Sequence, residues 1–530
     1  MMDLHSTGHR VGVVCAPHAG AVEDGKQILA EGGNALEAMV AMAASIAAVY
    51  PHMNHIGGDG FWLIRLPSGR LHAIMAAGPS GLQARPELYR DYETIPSRGP
   101  LAALTVPGAV GGWMLALEAA KANGGKLPLD ALLAPAIARC RNGYQVTRSQ
   151  ARLTQEHFTG LKDVPGFAET FLVNGEAPEV GTTLKQAALA ETLAQLVHVG
   201  LDDFYRGDVG RELAADLSHV GSLLTRDDLS RYRPTFAEPL HVELPAGTVY
   251  NTDAPTQGVA SLMILALFDR LGVREPESFE HIHGLIEATK RALRMRDRVV
   301  TDPNYLAHAL DRCLEPRFIA GEAMKIDRRK AARWPMPFGE GDTIWMGAAD
   351  TRGLVVSYIQ SLYWEFGSGC VLPATGVLMQ NRGISLSLQP GSLNMLAPGR
   401  LPPHTLNPAL AVLKDGRVMA YGTMGGDGQP QTQGALFTRH VMYGEPLASA
   451  LDRPRWLLGR TWGSPQTKLR MESRFDGNLI DALAAAGHEI DVLSEPYSDV
   501  MGHAGVAILH PDGSCEGAHD PRADGGAAGI

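Results

Sequence analysis

The strongest constraint on this 530-residue sequence is a change of character about two-thirds of the way along it. From about residue 100 to 300 the helical period dominates. After Arg333-Trp334-Pro335-Met336-Pro337, glycine turns and strand-like runs take over from Thr343 to the end. The second part opens with two β-type segments, Thr343 to Ala349 and Leu354 to Leu362, joined by Asp350-Thr351-Arg352-Gly353, whose Asp and Gly suit a tight reversal. The sequence has no internal repeat and no long low-complexity linker.

In the first part, Ala21 to Tyr50 reads as two alanine-rich helices separated by Glu31-Gly32-Gly33-Asn34. Glycine stops the first helix and Asn34 caps the second. The run Ala38 to Tyr50 is too short for the roughly 20 residues that span a bilayer, so it is expected to be a buried helix. His55-Ile56-Gly57-Gly58-Asp59-Gly60 leads into Phe61 to Arg65, a Pro-Ser-Gly turn and Leu71 to Met75, the pattern of a hairpin. Thr183, with Gln186 three residues on, predicts a capped helix carrying Leu189, Leu193 and Leu196 and ending at Gly200. A further helix places Ile282, Leu285, Ile286, Thr289 and Leu293 on one face, leaving Lys290, Arg291, Arg294 and Arg296 solvated or paired.

Composition narrows the class of partner. Apolar residues make up 45% and charged residues 20%, and the net charge of −10 includes no basic block, which argues against nucleic acid or an anionic membrane and for a small solute. Five widely spaced cysteines, Cys15, Cys140, Cys313, Cys370 and Cys515, form neither a disulfide framework nor a zinc ribbon. With no cationic-then-apolar leader at the N-terminus, a cytoplasmic protein is expected.

Common catalytic signatures (GxSxG, HExxH, Walker A) are missing. Gly425-Gly426-Asp427-Gly428-Gln429-Pro430-Gln431 has the look of a dinucleotide loop. Gln431 replaces its third glycine, however, and Pro430 would fall inside the required helix. His52 with His55, or His281 with His283, lack a third metal ligand at usable spacing and read as caps or core residues. No metal or organic cofactor is expected.

Gly341-Asp342-Thr343 opens the later hairpin, and here a family resemblance becomes visible. The chain resembles the γ-glutamyltransferase family of N-terminal nucleophile hydrolases in Glu31-Gly32-Gly33-Asn34-Ala35, Gly57-Gly58-Asp59-Gly60-Phe61, Thr105-Val106-Pro107-Gly108, Phe204-Tyr205-Arg206-Gly207, Glu287-Ala288 through Asp302-Pro303, the Thr343 hairpin, Gly425-Gly426, Arg453-Pro454-Arg455 and Asp520-Pro521-Arg522. The resemblance implies an α+β fold, a four-layer αββα sandwich. It also implies self-cleavage between Asp342 and Thr343 into a large subunit, 1–342, and a small one, 343–530, which stay together as a heterodimer, with a dimer of such pairs by family analogy.

Thr343 would then be nucleophile and base in one residue, because a free α-amine has a reference pKa of about 7.7 to 8.0 and is partly neutral near pH 7. By the same resemblance, Ser361 hydrogen-bonds the nucleophile and the amides of Gly425 and Gly426 hold the oxyanion.

The departures from the family pattern concern substrate. The arginine that binds a glutamyl α-carboxylate would fall in Ala73-Ile74-Met75-Ala76-Ala77-Gly78-Pro79, which has no basic residue. The aspartate that holds the α-amino group is Ser385, a paired serine motif is His404-Thr405, and an asparagine of the donor pocket is Tyr363. Arg382 suits a planar carboxylate. Together with Gln380-Asn381-Arg382-Gly383 and His404-Thr405-Leu406-Asn407-Pro408, these features are similar to the oxamate amidohydrolase branch of the family. That branch hydrolyses oxamate to oxalate and ammonia in purine-ring nitrogen salvage, with Arg382, Ser385, His404, Thr405, Asn407 and Tyr363 as candidate substrate-binding residues here. The rivals are a γ-glutamyl-peptide hydrolase or transferase, a cephalosporin-type acylase, and an uncleaved relative acting as a binding protein.

Overall fold

In the computed structural model, residues 2–334, 342–459 and 468–530 are described. Pro335, Met336, Pro337 and Gly341 of the segments named above lie outside them. Two antiparallel seven-stranded sheets face each other. The first runs in the order Gly526–Gly529, Gly12–Ala16, Asp342–Asp350, Val355–Tyr363, Asp59–Arg65, Leu71–Ala76, Thr235–Ala237. The second runs His5–His9, Cys515–His519, Ala504–Leu509, Val418–Thr423, Ala409–Leu413, Gly247–Asn251, Leu240–Leu244. The expected hairpins, Asp342–Asp350 with Val355–Tyr363 and Asp59–Arg65 with Leu71–Ala76, are adjacent in the first sheet.

Both faces of these strands are covered, which explains why they read as continuous apolar runs rather than as alternating ones. Val13, Cys15, Phe61, Leu63, Trp345 and Ile359 meet Leu410, Ala420 and Ala507 between the sheets. Their neighbours Val14, Ile64, Ile344, Met346 and Tyr358 turn outward onto a helical layer that includes Ala35–Val49. On the far side, Val249, Ala409, Met419 and Val506 pack against the helices Gly258–Leu271 and Phe279–Val299. The result is the αββα sandwich the family resemblance implies. Trp345 sits in a slot made of glycines: a Cβ at Gly422 would lie 2.3 Å from its ring and one at Gly505 would lie 2.4 Å away.

Local chemistry accounts for the element ends. Asn34 and Glu37 form a capping box on Ala35–Val49, as expected, and the other oxygen of Glu37 accepts the Leu127 N–H at 2.7 Å. The expected Thr183 cap is corrected. Thr183 and Leu184 form a two-residue strand against Tyr144–Gln145, and the helix is Ala187–Val199 with Gln186 at its N-cap position, closed by Gly200. Strand pairing takes the Thr183 backbone before it can cap.

Of the four cations named on Phe279–Val299, three are ion-paired, and Arg294 instead donates to the Arg333 carbonyl and lies over the Trp334 ring. Lys290 bonds Glu287, Arg291 bonds Glu322 and Arg296 bonds Asp297. All five cysteines are free and buried. Among the described residues no helix is long and apolar enough to cross a membrane.

Candidate active site

Thr343 lies at the start of its strand, where the register to Val355–Tyr363 shifts between Asp342 and Ile344. Its hydroxyl is fully buried and donates to Ser361 Oγ at 3.2 Å. Ser361 Oγ in turn accepts the Tyr363 N–H at 2.8 Å. Tyr363 holds φ of +85°, a conformation costly for a side-chain-bearing residue and one that concentrates at functional sites. Gly58 makes room for this corner, since a Cβ there would lie 2.1 Å from the Ser361 carbonyl oxygen.

Gly425 and Gly426 leave the end of strand Val418–Thr423 with φ of +112° and +51°, conformations that favour glycine. The helix Gly428–Phe437 follows at once, so its positive end lies beside the glycine pair. The proline that told against a dinucleotide loop does fall inside this helix. Pro430 occupies the first turn, where its missing N–H has no intrahelical acceptor to lose. Gln257 ties the loop down, donating from Nε2 to the Gly426 and Thr405 carbonyls at 2.8 and 2.6 Å. Arg296 donates to the Gln257 side-chain Oε1 at 2.7 Å and forms an ion pair with Asp427.

A cavity of about 770 Å³ opens beside this corner. Tyr363, Arg382, Ser385, His404 and Thr405 line it, together with Trp364, Arg296, Asp427 and the segment 92–97. Five of the six candidate substrate residues are thus brought together. Asn407 is not part of that lining. Its amide donates to Ser261 Oγ, and its backbone bonds Gln429 and Gln433 of the glycine-loop helix.

Arg382 is buried, stacked 3.6 Å above the Tyr363 ring centre, with Nη2 donating to Thr405 Oγ1 at 3.4 Å. Among the described residues no carboxylate is within ion-pair distance of it, and Nη1 has no hydrogen-bond partner. Burial brings its pKa down to about 10, against the pull of Tyr363, Asp59 and Asp427. Ser385 donates to the Arg382 and Pro403 carbonyls at 2.9 and 3.1 Å, and so presents no charge to the cavity.

His404 stands edge-on to Phe61, with ring centroids 4.9 Å apart, and its Nε2 is 3.5 Å from Asp59 Oδ2. Burial, then Arg382, holds the His404 pKa well below that of a free imidazole. Burial also pushes the Asp59 carboxyl up to about 7.

Sequence reasoning overlooked Asp59, Gln257, Arg296 and Asp427. A signal existed for two of them. Gly-Gly-Asp-Gly occurs twice, at 57–60 and 425–428, and both aspartates belong to the site.

Away from the site, His283, Glu287 and His488 form the one group among the described residues with metal-ligand spacing. His281, the residue the sequence reading paired with His283, is not in this group and bonds Thr438 instead. Hydrogen bonds already satisfy the cluster: Lys290 Nζ bonds Glu287 at 2.7 Å, His283 Nδ1 meets His488 Nε2 at 2.9 Å, and His283 Nε2 faces the Asp327 carbonyl at 2.9 Å. His52 and His55 are likewise engaged, with Ser149 and Gln186.

Comparison with known proteins agrees with this geometry. The chain is 50% identical over 520 residues to an oxamate amidohydrolase proenzyme of Klebsiella pneumoniae, covering 98% of each chain. It is 37% identical to a glutathione hydrolase-like YwrD proenzyme of Bacillus subtilis, again over 98% of each. A solved cephalosporin acylase from Bacillus halodurans superposes with a TM-score of 0.91 at 31% identity, covering 99% of this chain and 97% of that one. The family model described as gamma-glutamyltranspeptidase matches residues 21–530, and with the nucleophile corner, the glycine pair and the two-sheet core in place, the chain belongs to that family.

Proposed function

We propose that the protein is a self-processing amidohydrolase that cuts its own chain before Thr343 and then hydrolyses oxamate to oxalate and ammonia. Thr343 attacks the amide carbonyl and its freed α-amine carries the proton to the departing ammonia. The Gly425 and Gly426 amides hold the oxyanion, and water hydrolyses the resulting ester. The large and small fragments remain one folded unit, since both contribute strands to each sheet.

The observation that carries the substrate reading is Arg382. A buried guanidinium whose Nη1 has no hydrogen-bond partner, and with no carboxylate within ion-pair distance among the described residues, is short of the partner that such a charge requires, and a substrate carboxylate supplies it. Ser385, which carries no charge, stands where the family resemblance puts the carboxylate that holds a glutamyl ammonium. The Klebsiella relative bears the name of this activity. The expected setting is cytoplasmic, in purine-ring nitrogen salvage.

One observation favours a second reading. A cavity of about 770 Å³ is large for a two-carbon amide and would admit the side chain of a larger acylase substrate. The test is ammonia release from oxamate beside amine release from a γ-glutamyl anilide and a glutaryl amide. Oxamate turnover with little on the others is expected. Strong release from either larger amide and none from oxamate overturns the choice.

A further inference from the structure

Asp59 has no role in the chemistry set out above, yet it is built into the site with care. Its Oδ1 accepts the Gly78 and Gly108 N–H groups at 3.2 and 3.1 Å and Gln380 Nε2 at 3.1 Å. Space for those two amides is itself constrained, since a Cβ at Gly78 would lie 1.8 Å from the Val106 carbonyl oxygen and one at Gly108 would lie 2.1 Å from that of Ala76. Across the sheet Asp59 pairs with Ser361, the partner of the nucleophile. Oδ2 is left with no hydrogen bond, and the polar atom across from it is His404 Nε2 at 3.5 Å. Neither His404 nitrogen has a hydrogen-bond partner, and the residue lines the cavity.

Two unsatisfied buried groups facing each other at 3.5 Å need only a small closing movement to bond, and each gains by it. We propose that Asp59 is a positioning residue that fixes His404 in the Nε2–H tautomer, so that His404 Nδ1 offers a lone pair to an N–H of the substrate amide. The inference rests on the amidohydrolase reading and deepens it. Ionised Asp59 is an acceptor only, so the proton between the two must sit on His404 Nε2. Nδ1 is then an acceptor, and a primary amide has N–H groups to give it. That bond orients the nitrogen as it becomes the leaving group.

When Asp59 takes up a proton the relation reverses. Its O–H donates to Nε2, the ring proton moves to Nδ1, and Nδ1 now repels the amide N–H. The groups that set this titration are His404 and Arg382 with Gln380, Gly78 and Gly108, while Tyr205, Tyr232 and Tyr358 lie near enough to feel the Asp59 charge and Asp427 acts on Arg382. Burial pushes the Asp59 carboxyl up to about 7, so the amide-accepting tautomer is expected to prevail on the alkaline side of neutrality.

The test uses the self-processed protein with ¹⁵N-labelled histidine, His404 being assigned by its loss in H404A, together with turnover of oxamate. In the wild type the His404 spectrum is expected to show protonated Nε2 above neutrality and to switch as pH falls through the Asp59 titration. Asp59→Asn keeps the Oδ1 bonds but turns a donor toward Nε2. It is expected to lock the Nδ1–H tautomer at every pH and to lower kcat about 10- to 100-fold with a smaller change in KM. In H404A the same substitution is expected to cost nothing further.

An unchanged tautomer and turnover in Asp59→Asn overturns the proposal, as does a loss that persists undiminished in H404A. Self-cleavage of each variant reports that it has folded. His404→Phe keeps the packing on Phe61 and removes both nitrogens, and wild-type turnover in it overturns the proposal whatever Asp59→Asn does. If the wild type ignores oxamate while the tautomer behaves as expected, the substrate assignment falls and the Asp59–His404 relation stands.

Discussion

Thr343 Oγ1 donates to Ser361 Oγ across the hairpin at 3.2 Å, and Ser361 Oγ also accepts the Tyr363 backbone N–H. One serine oxygen thus links the nucleophile to a residue of the cavity wall. The hydroxyl proposed to attack is held by a neighbouring strand, not by a loop, so its direction is set before substrate arrives.

Replacing Thr343 by Ala is therefore expected to leave a single uncut chain with no amidase activity, while the wild type resolves into fragments 1–342 and 343–530 by denaturing mass analysis. Thr343→Ser should cut and turn over more slowly. Ser361→Ala removes both of these hydrogen bonds, and losing the one to Thr343, of a kind worth about 1 kcal/mol, should slow processing and turnover each about fivefold without abolishing them. Wild-type rates in Ser361→Ala would remove it from the mechanism.

Arg382 bears a stability cost that function explains. A buried guanidinium without a carboxylate lowers stability unless something pairs with it. Arg382→Met, close in volume and uncharged, is expected to melt at or above the wild-type temperature while losing most turnover of a carboxylate-bearing amide, chiefly through KM. Adding oxalate should raise the melting temperature of the wild type and leave that of the variant unmoved. Scanning calorimetry with and without oxalate checks both points, and equal oxalate shifts in the two proteins would place the anion elsewhere.

How much of this was legible in the sequence depends on the range of the interaction. Asn34 and Glu37 cap a helix three residues apart, and the Thr343 and Ser361 strands are joined by a four-residue turn, so both followed from local patterns. The Asp59–His404 contact depends on how one sheet stacks on the other, and no spacing rule reaches across that gap. Arg296 shows the same limit. Periodicity assigned it to a polar face, but that face turns out to be covered by the glycine loop, where Asp427 meets it. Thr183 failed in the opposite way, since a correct capping pattern lost to a strand pairing with Tyr144–Gln145 that its own neighbourhood did not announce.

Gly425 and Gly426 allow a prediction that separates backbone shape from side-chain chemistry. At φ of +112°, a Cβ on residue 425 is strained whatever space surrounds it. Gly425→Ala is expected to rotate the amide away from the oxyanion position and to lower kcat about 10²- to 10³-fold with little change in KM. Stopped-time assays at saturating substrate measure this directly, and a rise in KM alone would mean the loop binds the ground state rather than the transition state.

Acid stability should be governed by a buried ion cluster that does not line the cavity. Asp520 pairs with Arg455 and Arg522, Arg522 pairs with Glu472, and Asp520 also accepts the Ala504 N–H at 2.8 Å. Despite burial, the two arginines hold the Asp520 carboxyl well below the usual carboxylate range, so its contribution is complete above about pH 4 and fades as pH falls toward its folded value. Nearby His503 and His519 are held by burial to about 3 and about 4, so the unfolded chain takes up their protons first as pH drops below about 6.5. Both effects weaken the fold in acid. Asp520→Asn leaves two buried guanidinium groups short of charge and is expected to cost about 3–5 kcal/mol at pH 7, with a shallower loss between pH 5 and 3 than the wild type shows. Urea unfolding across that range is the measurement, and parallel wild-type and variant curves would mean that the cluster does not control acid unfolding.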